Sequence, residues 1–268
     1  VLKRSIIYPK KVGIFKKVLF LALPLIFSQL SRVLMSLVDL AMVGGLGPEA
    51  LAATATGGII IWSITSVTLG IKTSVQTLSS RRFGQKKLKD SGRSFYNGVL
   101  MAVIYSIPIC FVGYNFSSEI VLVYLNHPIS SLMAIEYTKV LFVGLLFTSI
   151  NFVFHGFLTG IEKTKIHLLI AISSNALNAY LNAGLIYGSN GVLVFHQTKH
   201  PDLTFIAKLW APFNFEALGV KGAALGTVFS SLFSVFQYFI YTFFTKTRTL
   251  FKLFPFGLDT TMLKKERC

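Results

Sequence analysis

The chain has 268 residues, of which 53% are hydrophobic and only 13% charged, and its mean hydropathy is +0.65. A soluble domain carries about 25% charged residues, so a water-soluble core is excluded and the length is taken up by membrane spans. The net charge of +16 would suit nucleic acid, but the basic residues sit between apolar runs, where the positive-inside rule accounts for them. No nucleic-acid partner is expected.

Crossing about 30 Å of hydrocarbon takes about 20 apolar residues. Six runs qualify, approximately 18–44, 51–80, 94–114, 137–160, 166–187 and 220–244. A short interfacial helix over 118–125 is expected after the third. The expected fold class is therefore all-α integral membrane with six transmembrane helices. The domain plan is a basic N-terminus over 1–17, a six-span lobe over 18–244 with an outer loop over 189–218, and a basic tail over 245–268.

The N-terminus is basic and then apolar, like a signal peptide. However, the first run far exceeds about 7–15 residues and no small-x-small site interrupts it, so a retained span is expected. Within that span Pro24 removes a backbone hydrogen bond, which makes a passive kink or a hinge. Asp39 lies five residues before Gly44, about 7–8 Å inside the end of the run. A carboxylate at a bilayer centre costs about 2.5–3.5 kcal/mol or more, and intramembrane ionisable groups default to function. The alternative is a helix-end acid that reaches the headgroups. Arg32 precedes Asp39 by seven residues, about 10 Å along the axis. Its side chain leans toward the N-terminus and away from Asp39. A direct pair is not assured, and Arg32 either lines a cavity or snorkels.

The second and sixth runs are rich in small residues. Ala52, Ala53, Gly57, Gly58, Gly222, Ala223, Ala224 and Gly226 suit close helix approach. Lys72 lies about two turns from Arg81 and is expected to snorkel to the interface. In the fifth run Asn178 and Asn182 stand four apart on one helix face. In the sixth, Thr227 follows Gly222 by five residues. An acid, two amides and a hydroxyl thus fall at one depth in the outer half. They suit a hydrogen-bonded cation or proton site in which Asp39 loads and releases the ion. Interhelical hydrogen bonding, at about 0.6–2 kcal/mol per contact, is the alternative for the asparagines and is favoured for Thr227 taken alone.

The segment 189–218 holds His196, His200, Asp202, Trp210, Pro212 and Phe215. Two histidines four apart have a helical metal spacing, but Pro201 follows His200 directly and Asp202 is the lone acid beside them. An amphipathic lid or interfacial loop is expected, and no metal. Cys110 and Cys268 suggest neither a disulfide framework nor a metal site. No GxxxxGK[ST] loop occurs, so P-loop ATP hydrolysis is not expected. Twenty Lys and Arg residues fall on one side of the six runs and four on the other, which places both termini in the cytoplasm.

Four stretches in order, LALPLIFSQ with VDLAMVGGLGPEALAA, GFLTGIEKTKIHLLI, NALNAYLNAGLIYG and GVKGAALGT, resemble the first six spans of the multidrug and toxic compound extrusion family. The resemblance runs from about residue 15 to 244 and implies one lobe of a transporter of that type in the cell (inner or plasma) membrane. It implies an antiporter, not an enzyme, that expels small, often cationic, organic molecules against H+ or Na+, with no cofactor beyond that ion. Asp39 matches the family's first-span carboxylate and Asn178 the fifth-span asparagine. Asn182 stands where some members carry a second acid, and Thr227 matches the sixth-span threonine. Pro24, Gln29 and Arg32 are the candidates for the substrate cavity or hinge. Because the family has two six-span lobes, the expected state is a truncated product, half of a split transporter, or a half that dimerises. The bilayer and a second lobe or second copy are the expected partners. The competing functions are a lipid-linked glycan flippase, with Arg32 holding a phosphate, and a non-transporting remnant or scaffold.

Overall fold

The structure, a computed structural model, describes residues 13–199 and 216–253. Among these the chain forms eight helices: α1 Ile14–Gly44, α2 Pro48–Gly84, α3 Leu88–Asn115, α4 Ser117–Tyr124, α5 Pro128–Gly160, α6 Thr164–Lys199, α7 Gly219–Phe244 and α8 Lys246–Phe251. Six of them are long and apolar enough to cross a membrane, as expected.

Their ends follow local chemistry. Helix α2 starts with Pro48 in its first turn and Glu49 beside it, and finishes with Arg81 and Arg82. This order suits a helix whose N-terminus favours acids and whose C-terminus favours bases. Helix α5 starts at Pro128, earlier than the expected 137. Ser130, Ser131 and Glu136 hide that turn from a hydropathy reading, while Ser131 Oγ donates to the Leu125 carbonyl at 2.6 Å and anchors it. Helix α4 falls where the interfacial helix was expected and leaves Leu122, Val123 and Tyr124 exposed.

Helix α6 is interrupted at Gly188, with φ 72° and ψ 169°, a conformation open essentially to glycine alone. The expected span end at 187 coincides with this break. The helix then resumes to Lys199, so the start of the segment expected as a loop is helical. Residues 200–215 of that segment, with His200, Asp202, Trp210, Pro212 and Phe215, lie outside the described residues, as does most of each basic terminal segment.

Helix α5 is the hub, packed along α2, α3 and α7, while α6 joins α1 to α7. Phe95, Phe154, Phe157, Leu158 and Tyr238 fill the core near the α2–α3 and α5–α6 turns. At the other end Val43, Ala50, Ile186, Val220 and Ala223 form a second core. Of the small residues expected at contacts, Ala53, Gly57, Gly222, Ala223, Ala224 and Gly226 are buried. Ala52 is exposed and a Cβ on Gly58 would meet nothing, so these two are not contacts. Helix α1 is the most peripheral span. It exposes Leu23, Ile26, Phe27, Leu30, Leu34 and Leu37 and is held to α6 by hydrogen bonds.

Candidate functional site

Three side chains of α6 fasten α1. Asn175 Nδ2 donates to Ser31 Oγ at 2.9 Å, Asn182 Nδ2 to Asp39 Oδ1 at 2.7 Å, and Tyr187 OH to the Met42 carbonyl at 2.6 Å. Asn175, Asn178 and Asn182 share one face because they recur at helical spacing. When Asp39 is ionised this contact is charge-assisted and stronger than a bond between neutral groups.

Asn182 is fully buried, and Gly226 of α7 makes room for it: a Cβ there would collide with Asn182 Oδ1. Its amide nitrogen also approaches Asn178 Oδ1 at 3.4 Å. Among the described residues, Asn182 Oδ1 and Asn178 Nδ2 are buried without a hydrogen-bond partner. Such groups cost about 1–3 kcal/mol each, so an acceptor and a donor are held in reserve beside a carboxylate.

Asp39 and Asn178 line a cavity of about 230 Å³ between α1, α6 and α7, together with Arg32, Asn175, Thr227 and Ser230. Among the described residues Asp39 is the single carboxylate in this lining. Thr227 Oγ1 donates to the Ala223 carbonyl at 3.1 Å, which leaves its oxygen free to accept from the cavity side. The four residues singled out in the sequence therefore meet in one place. Asp39, Asn182 and Asn178 form one hydrogen-bonded chain, and Thr227 stands in the cavity wall.

The remaining candidates divide. Arg32 lines this cavity without an ion pair to Asp39 among the described residues, and its guanidinium stands 6.0 Å from the Trp62 ring. Arg32 and Gln29 also line an adjoining cavity of about 150 Å³. Pro24 is buried and lines neither cavity, and α1 runs through it without interruption. Lys72, expected to snorkel, lines the adjoining cavity instead, with Nζ 5.9 Å from the Phe152 ring. That cavity gives its ammonium polar company inside the lobe, which removes the need to reach the interface.

Sequence reasoning missed several residues. Asn175 was legible, three residues before Asn178 in the same run of asparagines. Ser174 was not, although it accepts from Ser234 Oγ at 2.6 Å and from Gln237 Nε2 at 3.2 Å and so joins α6 to α7. Serines are frequent, and no spacing marked this pair.

Comparison with known proteins adds the lineage. The family described as MatE matches residues 24–183. The multidrug resistance protein NorM of Burkholderia vietnamiensis is 30% identical over 173 residues, which is 64% of this chain and 37% of that protein. The chain therefore spans well under half the length of the curated relatives it matches. A multidrug resistance MATE family transporter of the MOP superfamily, solved in an outward-facing conformation, superposes with a TM-score of 0.74 at 22% identity. The superposition covers 91% of this chain and 48% of that one. The inward-facing conformation gives a TM-score of 0.68 at 22% identity, over 87% and 47% of the two chains.

Proposed function

The chain belongs to the MatE family, and from that premise we propose that it works as one six-span lobe of a secondary active transporter that expels small organic molecules, organic cations among them. In this reading it is not an enzyme. Asp39 binds the coupling ion, Asn182 orients the carboxylate, and Asn178 and Thr227 complete the surroundings of the ion. Both termini face the cytoplasm in this reading, which the distribution of Lys and Arg supports.

The observation that carries the proposal is the 2.7 Å contact between Asn182 Nδ2 and Asp39 Oδ1 at the edge of a polar cavity. Asp39 lines that cavity, and Asn182 is fully buried behind it. We assign the coupling ion as a proton, because the lining offers a single carboxylate and neutral oxygens, a weak set for binding Na+ tightly.

Alternating access in such transporters moves one bundle against another. A second six-span lobe, whether further residues of the same protein, a separate chain or a second copy, completes the substrate cavity. Vesicles that contain this chain together with a second lobe of the family should drive efflux of a fluorescent organic cation under an imposed pH gradient. A sodium gradient alone should not. Efflux driven by sodium at clamped pH would reassign the ion, and efflux by this chain as a proven monomer would remove the need for a second lobe.

A further inference from the structure

The cavity beside Asp39 has a neighbour of opposite character. Arg32 from α1, Lys72 from α2, His155 from α5 and His167 from α6 line it, and among the described residues no Asp or Glu does. The rings of His155 and His167 stack with centroids 3.5 Å apart, and His167 Nδ1 lies 2.6 Å from Tyr238 OH. Arg32 and Lys72 line the same cavity as both histidines. Among the described residues neither cation has an acidic partner.

Charges inside a membrane protein are costly unless paired, and those that persist mark binding sites or ion paths. Here two cations from different helices face one cavity whose lining holds no acid among the described residues. Their aromatic neighbours, at 6.0 and 5.9 Å, offset part of this cost but supply no charge. An anion between them relieves the desolvation. The guanidinium fork matches a carboxylate or phosphate in geometry as well as charge. The hydroxyl of Ser174 in the same lining, which accepts from Ser234 Oγ and Gln237 Nε2, keeps its own hydrogen to donate to one of the remaining oxygens.

We infer that this cavity binds an oxyanion, a carboxylate or phosphate, between Arg32 and Lys72. Arg32, Ser174, Asn175 and Ser234 line both cavities, so the lobe offers a positive and a negative compartment side by side. The inference does not depend on which ion Asp39 carries.

Trp62 stands close enough to Arg32 to report on it, and Trp210 is the other tryptophan. In a Trp210→Phe background, the chain is titrated with inorganic phosphate, with benzoate and with tetraethylammonium, followed by Trp62 emission and calorimetry. The same chain is compared in bilayer discs of phosphatidylglycerol and of phosphatidylcholine. The expected result is saturable binding of an anion and none of tetraethylammonium. Arg32→Gln and Lys72→Gln should each weaken it about tenfold or more, since each removes a charged hydrogen-bond donor. Lys165→Gln, which removes an exposed cation outside the cavity, should leave binding unchanged.

Saturation by phosphate or benzoate identifies a soluble anion, and a response confined to phosphatidylglycerol identifies a lipid headgroup. Binding of none of these anions, equal binding of tetraethylammonium, or undiminished binding by both cavity variants would overturn the proposal. If either variant fails to fold by circular dichroism, the comparison of anion with cation on the unaltered chain decides alone.

Discussion

Asn182 is the residue on which the Asp39 site turns, since its amide reaches the carboxylate only because Gly226 leaves space behind it. Asn182→Ala removes a hydrogen bond to a charged acceptor, about 1.5–3 kcal/mol, so proton-coupled efflux should fall by about ten- to a hundredfold. The loss should be smaller than that of Asp39→Asn, which removes the ionisable group itself. Gly226→Ala places a methyl group against Asn182 Oδ1, the end of a side chain that can rotate away. The helix therefore stays in place while Asp39 loses its partner. Gly226→Ala should copy Asn182→Ala in vesicle efflux assays, and wild-type rates in Gly226→Ala would show that the Asn182 contact is dispensable.

At the scale of helices, the same substitution one turn away should act differently. A Cβ on Gly222 would overlap the Leu185 carbonyl, which is backbone and cannot rotate away. Gly222→Ala must push α7 from α6, at a cost of about 1–3 kcal/mol. Thermal unfolding in detergent should show a lower Tm for Gly222→Ala and a nearly unchanged one for Gly226→Ala; equal shifts would refute the distinction. This scale also marks what the sequence made legible. Hydropathy located all six spans, because apolar length is a local property. The face of α6 that carries Asn178 and Asn182 was legible because these two asparagines stand four apart in an apolar run. The early start of α5 was hidden by serines and Glu136. The basic cavity was hidden more deeply, since Arg32, Lys72, His155 and His167 come from four helices and no motif joins them. Lys72 was misread for that reason: its distance from Arg81 along the chain says nothing of the cavity that α1, α5 and α6 build around it.

For the whole molecule, the antiparallel order of the spans puts the α2–α3 and α5–α6 turns at one end and the α1–α2 turn with the start of α7 at the other. The basic residues cluster at the first end, which the positive-inside rule assigns to the cytoplasm. With Cys110 and Cys268 replaced, single cysteines at Lys87 and Lys221, both exposed, should divide in intact cells. An impermeant maleimide is expected to label position 221 and not position 87, and the reverse pattern would invert the topology. Within that frame the lobe's polar interior lies along α1, the most peripheral span, where a partner lobe can reach it. In the proposed reading Asp39 is the acid on which coupling rests, and replacing an intramembrane carboxylate by an amide eases insertion, so lost activity could not be ascribed to failed assembly. The most direct test is pH-gradient-driven efflux of an organic cation from vesicles that hold equal amounts of wild-type or Asp39→Asn chain with a completing lobe. The expected result is loss of gradient-driven efflux in Asp39→Asn at unchanged insertion. Wild-type efflux by Asp39→Asn would place the coupling site elsewhere and return Asp39 to a structural role.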